Sequence, residues 1–203
     1  MHQTEFTVAN LRRTASYVAL AAALAIVGLA ASCSTAPEHG YERRALSIDT
    51  AAFITRVKAT DPSLQKFFSN CVGYAAMPDI GKGGFIVGGA YGKGQLFDQQ
   101  GRLVGYCDVQ QGTIGAQIGG QTFGELIFFE TDRAMSNFKT GKFQLAAQAS
   151  AVALAEGAGA AAKYQDNVAI FIINPKGLML EASIGGQQFG YQALADAERL
   201  DRD

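Results

Sequence analysis

The sequence predicts an α+β domain: a largely antiparallel, glycine-rich twisted or barrel-like sheet, with a few short helices and a helical N-terminal part. Three observations lead there. Glycine is abundant, at 24 residues against 4 prolines, which suits tight turns and close strand packing and not a linker. From Cys71 onward the apolar residues alternate or run in short blocks between glycine turns, whereas the stretch before it has helical spacing. Strands also follow one another through short turns with no strand–helix rhythm, so antiparallel pairing is expected and a dinucleotide-binding parallel sheet is not.

The first stretch has the features of an address. Arg12 and Arg13 precede an uncharged apolar run from Tyr17 to Ala31, which ends in Ala30-Ala31-Ser32-Cys33. A positive start, an apolar middle and small residues before a cut describe a signal peptide over residues 1–32. The run is short for a membrane-spanning helix, which needs about 20 apolar residues. A cysteine directly after the small residues resembles a lipobox, with Cys33 acylated as the new N-terminus, although Leu29 sits one place further from it than usual. Ser34 follows in place of aspartate, which by resemblance to enterobacterial sorting directs the chain to the periplasmic side of the outer membrane. Residues 33–46 then read as a lipidated tether, because Pro37, His39 and Gly40 stand among charges with no apolar period.

The domain proper is assigned to residues 47–203. Ser47 or Asp49 can cap a helix to about Ala59, with Phe53 and Val57 one turn apart. Asp61-Pro62 starts a second helix, whose apolar face is Leu64, Phe67 and Phe68. Gly81-Lys82-Gly83-Gly84 reads as a turn, followed by an extended run to Phe97, a turn at Gln99-Gln100-Gly101 and a return strand from Leu103 to Val109. Ile114 to Gln121 alternates, and Leu126 to Phe129 is apolar on both faces, as a central strand would be. Thr131-Asp132 caps a short helix closed by Gly141. Residues 143–162 suit a strand followed by a loop. Val168 to Ile173 is a second two-sided strand, Asn174-Pro175-Lys176-Gly177 a turn, Leu178 to Ile184 a half-exposed strand, and Leu194 to Leu200 a last helix.

Composition excludes several functions. The formal net charge is −1, and no basic stripe with interleaved aromatics occurs, so nucleic acid is not an expected partner. Removing residues 1–32 takes away Arg12, Arg13 and Glu5 and leaves 15 basic and 17 acidic side chains. Any preference for anionic lipid must then come from a local patch. The only histidines are His2 in the leader and His39 in the tether. Histidine-based nucleophilic or zinc chemistry inside the domain is therefore not expected, nor is a cofactor or metal. Asp108, Glu125, Glu130 and Glu181 lie on or beside strands, but no spacing singles out an acid/base pair, and they read as mostly solvated or turn-capping. The glycine strings miss phosphate-loop spacing: Gly92-Lys93 is followed by Gly94 and not by serine or threonine. Lys82 and Lys93, in or next to glycine-rich backbone, are the candidates for holding a lipid phosphate, against the plainer reading of exposed lysines. Cys71 and Cys107 remain once Cys33 is acylated. Export and even parity would allow them to bridge; the alternative is that each is a small buried core residue.

Three segments resemble the SYLF domain family: the run Gly84 to Gly94, the strand Gly115-Ala116-Gln117-Ile118-Gly119-Gly120-Gln121, and the turn Asn174-Pro175-Lys176-Gly177-Leu178-Met179. The resemblance spans roughly residues 48–193. It implies a non-enzymatic α+β module that binds membrane lipid, phosphoinositides in eukaryotic members, with bacterial members exported. The expected function is thus an envelope-tethered lipoprotein binding anionic head groups. A structural or interaction protein of the envelope is the alternative, and neither reading names a protein partner.

Overall fold

The computed structural model describes residues 35–84, 87–114, 121–141, 143, 151–173 and 186–199. Cys33 with its leader, the turn Asn174–Gly177 and the strand expected over Leu178–Ile184 lie outside the described residues. Helix α1 spans Gly40–Thr60, and a 3-10 turn over Pro62–Leu64 leads into α2, Gln65–Asn70. Strands β1 (Gly73–Gly84), β2 (Val87–Asp98), β3 (Leu103–Ile114) and β4 (Gln121–Phe129) follow, then α3, Asp132–Lys139. The remaining elements are β5 (Ala151–Ala153), α4 (Ala158–Ala161), β6 (Val168–Ile173), β7 (Gln188–Ala193) and α5 (Leu194–Arg199).

The strands form one open seven-stranded sheet in the order β5-β6-β4-β1-β2-β3-β7. Every pairing is antiparallel except β5 with β6. The expected α+β class and antiparallel sheet are what the structure shows, with an open sheet in place of a barrel. The pleat sends alternate side chains to two cores. On one face Phe53 and Val57 of α1 pack with Leu64, Phe67 and Phe68 against Tyr74, Leu126, Phe128 and Phe171 of the sheet. On the other, Met135 and Phe138 of α3 pack with Phe189 against Met77, Leu96, Ile127 and Phe129. Burial of both faces explains why β4 and β6 read as unbroken apolar runs.

Local signals operate as the sequence suggests in several places. The Asp61 carboxylate accepts from the Ser63 backbone at 3.0 Å and from its hydroxyl at 2.7 Å, and it also accepts from the Gly159 N–H at 2.6 Å, joining the 3-10 turn to α4. Burial would push this carboxyl up, but hydrogen bonds from Ser63, Gly159 and Gly157 hold it below the usual range. Thr131 caps α3 through the Ala134 N–H. Gly101, with φ +76°, closes the β2–β3 hairpin. Between α4 and β6, Asp166 and Asn167 take φ of 50° and 64°, the two positive values of a primed hairpin turn, with Gln165 and Val168 paired across it.

Two expectations are overturned. Gly81-Lys82-Gly83-Gly84 is not a turn: it is the last part of β1, paired with Gly88–Tyr91 on one side, and with β4 at Gly81 and Lys82 on the other. Neighbours on both edges satisfy the backbone there, so the intrinsic glycine preference for turns is overridden. The tether over residues 33–46 also fails as a free segment from Thr35 onward. α1 begins seven residues before Ser47, and its start is held by polar contacts that an apolar-period test cannot register. The Arg43 guanidinium, buried at 7% exposure, donates to the carbonyls of Pro37 at 2.6 Å and Glu38 at 3.1 Å. Leu46 adds apolar contact to the cluster of Ala36, Tyr106 and Ala197. β7 had no counterpart in the sequence reading; it enters the sheet as an edge strand beside β3.

Candidate functional site

β2 carries Lys93, one of the two lysines that the sequence singled out. Lys93 stands across the ladder from Asp79 on β1 and Asp108 on β3. Its ammonium is half-buried and donates to the Ala36 carbonyl at 3.1 Å. The Ala36 N–H donates to Gln192 Oε1 at 3.0 Å, and Asp108, 2% exposed, accepts from the Gly190 N–H at 2.8 Å. With Arg43, these contacts clasp residues 35–38 onto the β2, β3 and β7 end of the sheet. A buried cation is tolerated only when it is hydrogen-bonded or paired, and the clasp supplies acceptors to both Lys93 and Arg43.

Lys82 pairs in register with Ala90 and with Gln121. It lies three positions along β1 from Asp79, the partner of Lys93. An odd offset on a pleated strand puts the two lysine positions on opposite faces. The structure therefore does not bring Lys82 and Lys93 together on one face of the hairpin.

Cys71 and Cys107 are likewise kept apart. Both thiols are free and buried. Cys71 belongs to the core under α1 and α2, and Cys107 to the core under α3, so the sheet itself stands between them. The bridge that parity allowed is not formed. Burial pushes the Cys71 thiol up to about 11, and burial with the nearby charges of Asp108 and Glu125 pushes Cys107 up as well. Both are protonated, unreactive core residues.

Two of the four acids, Asp108 and Glu125, are buried and not solvated as the sequence suggested; Glu130 is exposed, and Glu181 lies outside the described residues. Asp108 is enclosed in the clasp. Glu125 is fully buried on the α3 face of β4, where burial pushes its carboxyl up to about 7 despite a hydrogen bond from Gln187. Gln187 Nε2 donates to Glu125 Oε2 at 3.0 Å, and Glu125 Oε1 has no hydrogen-bond partner among the described residues. Parity could have revealed this. Glu125 sits one residue before a two-sided apolar run, so it belongs to a strand with no solvated face. Gln187 could not have been found the same way, because its contact with Glu125 spans 62 residues. Among the described residues no group of His, Cys, Asp or Glu could hold a metal ion.

Two open clefts lie on the described surface. One, of about 340 Å³, runs over Tyr91, Gln110 and Gln188 along β2, β3 and β7. The other, of about 370 Å³, lies between α2, the end of β4 and the segment after α4.

Comparison with known proteins agrees with this architecture. Residues 110–197, from the second half of β3 to α5, match the family described as "Ysc84: Las17-binding protein actin regulator". A curated bacterial protein, beta cell expansion factor A of Aeromonas veronii, is 29% identical over 155 residues, 75% of this chain and 59% of that protein. The chain thus spans less than two thirds of the length of that relative. Over residues 110–197, less than half of its length, this chain is thus similar to the SYLF (Ysc84) family.

Proposed function

We propose that the chain is a bacterial envelope lipoprotein, acylated at Cys33, whose SYLF domain is a non-enzymatic module that binds membrane lipid from the periplasmic side of the outer membrane. The similarity of residues 110–197 to the SYLF (Ysc84) family carries this reading, since that family is one of binding modules. The clasp on residues 35–38 supports it. With Cys33 acylated, only Ser34 separates the lipid from chain that is pinned to the sheet by Lys93 and Gln192 and to α1 by Arg43. The anchor then holds the domain against the bilayer instead of letting it range on a leash, which raises the effective concentration of head groups at its surface.

Vesicle flotation with the acylated protein and the Cys33→Ala variant is the test. Acylated protein should float with vesicles containing anionic lipid. The Cys33→Ala protein should bind more weakly and yet still prefer vesicles over buffer, because the domain retains its own affinity. Lys82→Glu should lower that residual binding, with an effect that shrinks as salt shortens the screening length to about 3 Å at 1 M. Absence of any vesicle binding by the Cys33→Ala protein would favour a protein-interaction role at the envelope.

A further inference from the structure

The cleft between α2 and the segment after α4 has an unusual assortment of groups. Its floor is aromatic: Phe67 and Tyr164 meet edge to face at 5.1 Å, and Phe67 is backed by Phe128 and Phe171. The Tyr164 hydroxyl is enclosed and has no hydrogen-bond partner among the described residues. Burial and the charges of Cys71 and Glu130 push this phenol up, so it is a neutral O–H donor.

The rim is charged with both signs. Lys66 Nζ donates to the carbonyls of Ala160 at 3.0 Å and Ala162 at 3.1 Å, 5.0 Å from the Phe67 ring centre. Two acceptors leave an ammonium one further donor. Lys163 and Glu130 line the same cleft, and among the described residues neither takes part in an ion pair. The walls are fixed: the Glu130 N–H donates to the Asn167 carbonyl at 2.9 Å, within the positive-φ turn that follows Tyr164.

Two ammonium groups, one carboxylate and an aromatic floor complement a small zwitterion. A phosphate alone would be repelled by Glu130, and an amine alone by the two lysines, whereas a molecule carrying both satisfies all three charges. Resting on the membrane-lipid reading for its source, we propose that this cleft binds the phosphoethanolamine group, with the phosphate at Lys66 and Lys163 and the ammonium at Glu130.

Calorimetric titration of the full-length protein with O-phosphoethanolamine, inorganic phosphate and ethanolamine tests the chemistry. O-phosphoethanolamine should bind at least about tenfold more tightly than either half, a difference of about 1.4 kcal/mol. Glu130→Gln should abolish that preference over phosphate, and Lys163→Glu should weaken both phosphate-containing ligands. Lys66→Met should weaken both as well, and recovery by Lys66→Arg, which restores the positive charge, separates a ligand role from a packing role. Equal affinity for phosphate and O-phosphoethanolamine, or affinities unchanged in these variants, would overturn the proposal. Flotation on phosphatidylethanolamine vesicles against pure phosphatidylcholine separates the sources. Loss of the phosphatidylethanolamine preference in the same variants supports the lipid head group. Soluble binding with no vesicle binding by any form supports the cleft while sinking the membrane reading. Vesicle binding untouched by all three variants overturns the cleft as a head-group site and leaves the membrane reading standing.

Discussion

Glu125 shows most directly how one side chain links burial to solution behaviour. Its carboxyl ionises near 4.5 when exposed and at about 7 in the folded domain, because burial disfavours the charged form more than the Gln187 hydrogen bond favours it. Between these values the folded state binds more protons than the unfolded chain. The stabilising contribution is therefore complete below pH 4.5 and is lost as pH rises through 7. Relative to Glu125→Gln, the wild-type domain should lose on the order of 3 kcal/mol between pH 5 and pH 8. Urea unfolding of both proteins at the two pH values measures this. A stability difference between them that does not change with pH would mean that Glu125 is not the titrating group. Asp61 behaves in the opposite sense: its carboxyl lies below the ordinary range, so its contribution is present above about pH 4 and fades only as acid titrates the folded state. Sequence reading caught Asp61 because its three partners include the adjacent Ser63. The hydrogen bond on Glu125 was out of its reach because Gln187, just before β7, is 62 residues away.

At the scale of elements, the fit of α1 on the sheet depends on an absent side chain. A Cβ on Gly124 of β4 would overlap the Phe53 ring and come within 3.0 Å of the Pro78 carbonyl oxygen. Gly124→Val should thus destabilise the domain by about 1–3 kcal/mol through overpacking. Adding Phe53→Ala should recover part of that loss, so that the double variant is less damaged than the sum of the two single changes. Chemical denaturation of the four proteins gives the coupling, and strict additivity would show that the helix does not rest on this glycine. Elements whose signals are local were legible: the Asp61-Pro62 start, the Thr131 cap, the Gly101 turn and the final helix. The end of β1 was not, because whether Gly81–Gly84 turn or extend is decided by strands on both sides. The start of α1 was not, because a buried guanidinium on backbone carbonyls leaves no periodic trace.

For the molecule as a whole, the sheet is a partition and the clasp is a latch. Two cores share one sheet, which is why Cys71 and Cys107 remain free and buried instead of bridging. The latch ties the chain just after the expected acylation point to strands from the opposite end of the domain. Lys93→Met and Arg43→Met should each speed amide hydrogen exchange over residues 36–43 by tenfold or more, about 1.4 kcal/mol of local opening. Protection in β1 and β4 should be retained. Exchange that rises uniformly across the domain would mean that the clasp belongs to the global fold and is not a separable unit.

By itself the sequence determined the α+β class, the antiparallel habit, most helix starts and the SYLF resemblance. These reside in short-range residue preferences, in pleat and helix periods, and in ordered local motifs. Tertiary structure alone decided which positions share a face and which groups lose water. It separated Lys82 from Lys93 by an odd step of the ladder, put Cys71 and Cys107 on opposite sides of one sheet, buried Glu125 against Gln187, and gathered Lys66, Glu130, Lys163 and Tyr164 around one cleft. Each of those outcomes depends on strand order and register. Both are set by the summed packing of distant segments, a quantity that no window of neighbouring residues contains.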